Sequence, residues 1–146
     1  MTCPVFKRMF LAAPLLLIAL LLLAPAQAGA GELAPAAQKA ALAWLKLVDQ
    51  GDYQASWRES GALFQGAVTA EKWIQSMNGV RKPLGKALSR KYASGQARQN
   101  MPGAPDGNYM LLLFKSSFSN KKSAEERVTL IDEKGRGWRV VGYFIK

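Results

Sequence analysis

Histidine is absent from the 146-residue sequence, and cysteine occurs once, as Cys3. These two absences exclude Ser-His and Cys-His catalytic pairs and zinc-thiolate sites in the exported chain. The sequence also has no P-loop and no dinucleotide-binding glycine motif, because the GRG at 135–137 lies between two predicted strands, where a turn explains it. We therefore expect no metal site, no cofactor and no assigned catalytic residue. Acid-base chemistry by a carboxylate or a tyrosine stays open.

Acidic residues are few, at 10 against 20 lysines and arginines. A basic surface attracts polyanions, so an acidic polymer or an anionic membrane surface is one possible partner. Only the segment 81–91, RKPLGKALSRK, is locally dense in cations, and the rest are spread along the chain. This pattern favours a generally basic, solvated surface that makes at most weak contact with anionic surfaces. Because we expect the chain to be exported, we expect no nucleic-acid ligand.

The N-terminus has the pattern of a secretory signal peptide. Lys7 and Arg8 precede the apolar run LAAPLLLIALLLLAP, and the small-residue motifs AQA and AGA follow, ending at Ala28 and Ala30. A membrane anchor is the alternative, but a spanning helix needs about 20 continuous apolar residues, and prolines interrupt this run. We expect cleavage of residues 1–30, a periplasmic or secreted location, and a single domain over 31–146. That domain contains no cysteine and cannot form a disulfide.

Three helices are predicted in the first half of that domain. Ala37, Ala41, Trp44 and Val48 recur at helical spacing before a stop at Gly51. Asp52 is a predicted N-cap for a second helix, in which Tyr53 and Trp57 share a core-facing side. The segment ALFQGAV, 62–68, is predicted to be a loop. Thr69 then caps a third helix, whose inner face carries Trp73, Met77 and Val80.

Four strands are predicted in the second half, over 86–98, 109–119, 126–133 and 138–145. The second is apolar on both faces from Met110 to Phe114, which indicates a central position in the sheet. MPGAPDGN forms a loop before it, and EKGRG supplies the last hairpin turn. Helices followed by strands predict an α+β fold, in which N-terminal helices pack on a curved antiparallel sheet of about four strands. This order suggests a cystatin-like or nuclear transport factor 2-like cone.

The stretches GDYQASW, RKPLG with SR four residues on, MPGAPDGNY, SSF, ERVTL and GWRVVGYFI occur in this order from Ala40 to the C-terminus. In these stretches the chain resembles the bacterial secreted family of domain of unknown function 4019, within the nuclear transport factor 2-like superfamily. The resemblance implies an exported single domain with a cone-like sheet. It implies no established activity.

Six residues are candidates for lining a ligand pocket, although each also has a structural interpretation: Arg81, Arg90, Tyr109, Glu126, Trp138 and Tyr143. Arg81 lies at a helix end, where a cation complements free carbonyl groups, and Arg90 can pair with Glu126 across strands. The tyrosines can pack their rings while hydrating their hydroxyl groups. Trp138 is interpreted mainly as an anchor between sheet and helix.

We expect a non-enzymatic module that binds a small ligand or an envelope protein. One alternative is a small isomerase or hydrolase that uses a carboxylate or tyrosine in the cone. Another is an electrostatic accessory protein at anionic envelope surfaces. A cavity with a buried, convergent carboxylate would favour the enzyme, whereas a one-sided basic patch would favour the accessory protein. The sequence does not indicate an oligomeric state.

Overall fold

A computed structural model describes residues 30–146, with side chains from residue 35 onward. The predicted signal peptide lies outside the described residues, apart from its last position. Four α-helices come first: α1 (Ala30–Asp49), α2 (Tyr53–Glu59), α3 (Ala62–Ala67) and α4 (Ala70–Val80). A short 3-10 helix, Lys82–Leu84, follows. No described helix has the length and apolarity that a membrane span requires.

Local signals in the sequence fix where the helices begin. The Asp52 carboxylate accepts a hydrogen bond from the Ala55 amide at 2.9 Å and caps α2. The Thr69 hydroxyl accepts one from the Lys72 amide at 3.3 Å and caps α4. Each cap satisfies an amide that the helix itself leaves without a partner. Gly51 has a φ of 75° and makes the reversal between α1 and α2, which few other residues would tolerate.

The strands form one antiparallel sheet in the order β1 (Ala87–Arg98), β2 (Tyr109–Phe118), β3 (Lys121–Glu133) and β4 (Gly137–Ile145). β2 is interior, as its apolar run predicted. The predicted turn between the last two strands is present, with positive φ at Gly135 and Gly137. The helices pack on the inner face of this sheet, and helices followed by an antiparallel sheet confirm the predicted α+β fold class.

The core lies between α1 and the inner face of the sheet. α1 contributes the predicted stripe together with Leu45, and α2 and α4 add Tyr53, Trp73 and Met77; all of these residues are buried. The sheet contributes alternate residues, as expected for a pleated surface with one covered face. These inward, buried apolar residues are Met110, Leu112, Phe114, Val128, Leu130 and Val140.

Three expectations about the elements were wrong. The predicted loop 62–68 contains the helix α3, which is too short for its apolar residues to show a helical period. β3 begins at Lys121, five residues before the predicted start. Val80 was expected on the inner face of its helix but is 49% exposed. It is the last residue of α4 and extends past the packing that buries Trp73. Trp57 packs against the core, as expected from the face it shares with Tyr53, but it is only partly buried, and its indole N–H donates to the carbonyl of Val68 at 2.8 Å.

Candidate functional site

Two carboxylates and two guanidinium groups meet between α1, the end of α4 and the inner face of the sheet. Glu126 on β3 is fully buried and accepts from Arg90 Nε at 2.6 Å and Nη2 at 3.1 Å. The same guanidinium donates to both Asp49 oxygens, at 2.7 and 3.0 Å. Arg81 Nη2 also donates to Asp49, at 2.9 Å. We call Asp49, Arg81, Arg90 and Glu126 the ion cluster, and its formal charges cancel.

Glu126 is saturated with hydrogen bonds. Besides the two from Arg90, it accepts one from the Ser116 hydroxyl at 2.5 Å and one from the Tyr143 hydroxyl at 2.7 Å. An ionised carboxylate offers about four acceptor positions, and four donors occupy them here. The carboxylate therefore has no acceptor position free for a substrate proton, and the site resembles a structural charge network more than a general base.

Arg81 occupies a different environment from the one the sequence suggested. It is the C-cap of α4, but its Nη1 donates to the carbonyl of Gly85 at 2.7 Å, outside the helix. Its guanidinium carbon lies 4.3 Å from the centre of the Phe118 ring, within range of a cation-π interaction. Its Nε is buried without a hydrogen-bond partner among the described residues. Arg81 thus joins the end of α4 to α1 and the sheet.

The ion cluster shifts the pKa of Asp49, of Arg90 and of the neighbouring Tyr143. Burial alone would raise the pKa of Asp49, but hydrogen bonds from Arg90 and Arg81 outweigh it and lower that pKa below its ordinary value. Burial would lower the pKa of Arg90, but its bonds to Asp49 and Glu126 raise it. Burial, reinforced by the charge of Glu126, raises the pKa of the Tyr143 hydroxyl. These three groups therefore keep their ordinary charge states at neutral pH.

An apolar groove lies beside the ion cluster, between α3, α4 and the end of β4. Its volume is about 400 Å³. Eight of its nine lining residues are apolar or aromatic, and the set is Phe64, Val68, Trp73, Ser76, Met77, Val80, Tyr143, Phe144 and Ile145. Val80 on one wall and Phe144 on the other are 49% and 56% exposed. Phe144 also borders a shallow depression on the outer face of the sheet, so it stands at the lip of the groove.

Packed aromatic rings form the floor of the groove. Trp73 lies 5.0 Å from Phe64 in an edge-to-face arrangement and 6.4 Å from Tyr143, measured between ring centres. The Trp73 indole donates to the Ser56 hydroxyl at 2.9 Å, which fixes the ring from below. Trp44 extends the stack, 5.9 Å from Trp73. Such offset and edge-to-face pairs give the floor a defined shape.

The structure brings together four of the six predicted site residues. Arg90 and Glu126 form the predicted pair, Arg81 reaches them through Asp49, and Tyr143 links Glu126 to the groove. The other two lie apart. The hydroxyl of Tyr109 donates to the carbonyl of Pro105 at 2.6 Å and secures a loop.

Trp138 lies on β4, half-buried against the core. It lines a small cavity of about 210 Å³ between α1 and β4, together with Ala40, Ala43 and Leu47. This position matches its interpretation as an anchor between sheet and helix. It does not reach the ion cluster or the groove.

Sequence reasoning missed Asp49 and the α3 wall of the groove. Asp49 is not among the six candidate residues, because it lies at the end of the first predicted helix. An acid at a helix C-terminus opposes the helix dipole, and that conflict was a signal that cations would compensate it. Phe64 and Val68 carried no comparable signal, because a short apolar segment has the same composition in a loop and in a helix.

Titratable side chains elsewhere do not form a metal site in the part of the chain from residue 30 onward. No three residues of the types His, Cys, Asp and Glu group closely enough there to hold a metal ion.

Comparison with known proteins identifies a family and a fold. The family model described as "Protein of unknown function (DUF4019)" matches residues 40–143. Among solved structures, Aln2 from a Streptomyces species is similar with a TM-score of 0.50 and 11% identity, over 81% of this chain and 92% of that one. At this identity the likeness shows the fold alone. No curated protein matches the chain.

Proposed function

Since the chain belongs to the DUF4019 family, whose function is unknown, we propose a function from the geometry of its groove: the protein is an exported, non-enzymatic module that binds a small apolar molecule. The ligand lies between α4 and the end of β4, on the floor formed by Trp73 and Tyr143. The observation that carries this proposal is a groove with apolar walls, in which Val80 and Phe144 stay about half exposed.

The size and lining of the groove support a small ligand. Binding sites for small molecules typically enclose about 300 to 1,000 Å³, with mostly apolar and aromatic walls. The groove has about 400 Å³ and one polar lining residue with a short side chain, Ser76. Burying a side chain such as Val80 or Phe144 fully is worth about 1.5 to 3 kcal/mol. An apolar ligand that covers both would therefore gain a substantial part of its binding free energy from these two residues.

The state of Glu126 favours binding over catalysis. An acid-base enzyme needs a carboxylate with a free acceptor position facing the substrate. Glu126 already accepts four hydrogen bonds, and it does not line the groove. Tyr143 lines the groove with its ring, while its hydroxyl donates to Glu126. The alternative of an isomerase or hydrolase therefore has less support than a binding module.

The binding test uses 1-N-phenylnaphthylamine, a small apolar fluorophore whose emission rises when it leaves water. We expect saturable binding to the wild-type protein. Val80→Gln and Phe144→Thr should each weaken it, by about tenfold if half of the buried area of the side chain is lost. Leu88→Gln is the matched control, because Leu88 is 65% exposed but lies on β1, at the other edge of the sheet. Equal loss in all three variants, or none, would contradict the groove as the site.

Native mass spectrometry of the protein purified from its own envelope would identify a bound molecule directly. A co-purifying apolar compound that Val80→Gln removes would support the proposal. A co-purifying polar compound that this variant retains would contradict it.

Export is a separate part of the proposal and rests on the order of Lys7, Arg8, the apolar run and AQAGA. The intact mass of the periplasmic protein, expressed in a Gram-negative host, should correspond to a chain that begins near Gly29 or Gly31. Recovery of the full-length chain in the inner membrane would instead support an uncleaved anchor.

A further inference from the structure

β1 is an edge strand whose outer side has no cover in the described part of the chain. It pairs with β2 alone, and the backbone groups of residues 87–98 make no hydrogen bonds outside that pairing. The opposite edge is partly covered, because the amide of Gly61 donates to the carbonyl of Val140 on β4 at 2.7 Å. An open edge offers unpaired N–H and C=O groups to another strand.

The side chains of β1 also leave room for a partner. The residues of 91–96 are exposed, and Ser94, Gly95 and Ala97 are small. The space at Gly95 is taken within the chain, because a Cβ there would lie 2.6 Å from the Tyr92 hydroxyl. Leu88 and Tyr92, which are 65% and 42% exposed, are two of the five exposed large hydrophobic residues of residues 35–146. A neighbouring strand would bury part of both.

The charge along this edge is of one sign. No acidic residue occurs between Glu71 and Asp106, whereas seven lysines and arginines do. Arg81 and Arg90 are neutralised inside the ion cluster. Lys86, Lys91 and Arg98 remain exposed, and none of the ion pairs within the described residues involves them.

The register of β1 sorts these side chains by face. Lys91 lies opposite Lys115 and Arg98 lies opposite Tyr109 on β2. Lys115 and Tyr109 are an even number of residues apart and alternate with the inward residues of β2, so Lys91 and Arg98 both lie on the outer face of the sheet. Tyr92 lies opposite the buried Phe114, with ring centres 6.1 Å apart, and therefore faces inward. A strand added to β1 would meet cations on one face and an aromatic ring on the other.

We propose that β1 binds an extended acidic segment of a partner protein, which extends the sheet by one strand and alternates acidic with apolar residues. Its carboxylates would lie beside Lys91 and Arg98, and its apolar residues beside Tyr92. A second copy of this chain does not fit this edge, because β1 contains no acid and pairing it with itself would set cation against cation. An anionic membrane fits less well, because it would leave the backbone groups of the edge without partners.

The probe is a fluorescein-labelled nonapeptide that alternates Glu and Val. Two further peptides serve as comparisons: one replaces the central Val by Pro, which removes an amide and bends the strand, and the other alternates Lys and Val. We expect the Glu-Val peptide to bind in fluorescence anisotropy, with affinity that falls as salt is added. The Pro-containing and Lys-Val peptides should bind much more weakly. Hydrogen exchange should show new protection in residues 87–98.

Charge reversal tests the position of the site. The double variant Lys91→Glu, Arg98→Glu should weaken binding of the Glu-Val peptide by about tenfold or more, since two attractive pairs become repulsive. Lys134→Glu is the control, because this exposed lysine lies in the turn beside β4, at the other edge.

Four results would overturn the proposal. One is no binding of the Glu-Val peptide up to about 1 mM, which corresponds to negligible affinity. Another is equal binding of the Pro-containing peptide, which would show attraction of charge without strand addition. The third is a concentration-dependent dimer that Lys91→Glu abolishes. The last is tight, salt-sensitive binding to vesicles of equal parts phosphatidylcholine and phosphatidylglycerol with no protection of residues 87–98, which would assign the cations to a membrane surface.

Discussion

The ion cluster and the apolar groove lie side by side on the inner face of one sheet, and they differ in how complete they are. The ion cluster carries nearly all the buried charge, yet Glu126 accepts hydrogen bonds at all four positions. The groove has almost no polar chemistry, yet Val80 and Phe144 stay exposed. A buried charge without partners costs several kcal/mol of folding stability, so the charges of a buried cluster need hydrogen-bond partners within the protein. Exposed apolar side chains carry no comparable cost. In this protein the exposed apolar groove is therefore a better guide to function than the density of titratable groups.

Tyr143 belongs to both regions. Its ring lines the groove, 5.5 Å from that of Trp44, and its hydroxyl donates to Glu126. The comparison therefore predicts that changes in the ion cluster reduce stability and leave ligand binding intact, whereas changes in the groove wall do the opposite.

The largest effect is expected from Glu126→Gln. Replacing a fully buried carboxylate leaves the charge of Arg90 only partly compensated, and breaking one partner of a buried ion pair costs about 3 to 5 kcal/mol. Urea unfolding monitored by tryptophan fluorescence measures this cost. Glu125→Gln is the matched control, because this neighbour makes its ion pairs with exposed side chains, those of Lys115, Arg127 and Lys146. Equal shifts in the two variants would contradict a structural role for the ion cluster.

Trp57→Ala should destabilise the protein by about 3 kcal/mol, at the lower end of the range for truncated tryptophans because the side chain is half-buried. The indole also holds the carbonyl of Val68, a residue of the groove wall. Trp57→Phe should lose less stability, since it keeps most of the packing. A denaturant midpoint close to wild type for Trp57→Ala would contradict this packing.

Tyr143→Phe separates the two regions most directly. It removes one donor from Glu126 and keeps the ring in the groove, so we expect a loss of about 2 kcal/mol in unfolding free energy. Binding of 1-N-phenylnaphthylamine should be retained. The opposite pattern, with stability kept and binding lost, would mean that the hydroxyl serves the ligand instead of the ion cluster.

The fold was predictable where the determining interactions are local. Asp52 and Thr69 each accept a hydrogen bond from an amide three residues later and so cap their helices. The hairpin turn requires a positive φ at residue 135, which glycine readily adopts. The pairing of Arg90 with Glu126 was also inferred, because both residues were placed on strands of one sheet. The fold class followed from the order of these elements.

The parts that depend on distant packing were not predictable. Asp49 reaches Arg90 across 41 positions of sequence, and nothing local to either residue specifies that contact. Val80 follows the helical period of Trp73 and Met77, yet the core ends before it. The groove exists because no described element covers that end of the sheet, and a sequence pattern does not report such a gap.

The smallest expected effect is the loss of the pH-dependent stability that the ionised Asp49 contributes, which Asp49→Asn removes. This contribution to the free energy of unfolding is about 1 kcal/mol at neutral pH, because the carboxylate is partly exposed and screened. The hydrogen bonds from Arg90 and Arg81 lower the pKa of Asp49 in the folded protein. A lowered folded pKa adds stability that is present above the pKa of the unfolded chain, near 3.8, and is lost as the pH falls through the lower folded value. The stability difference between wild type and Asp49→Asn should therefore be constant from pH 7 to about pH 5 and shrink below about pH 4. Urea unfolding across this range measures it, with Asp132→Asn as a control, because Asp132 is exposed and has no ion pair in the described chain. A difference that grows as the pH falls would reverse the sign of the linkage and show that Asp49 is destabilised by its burial.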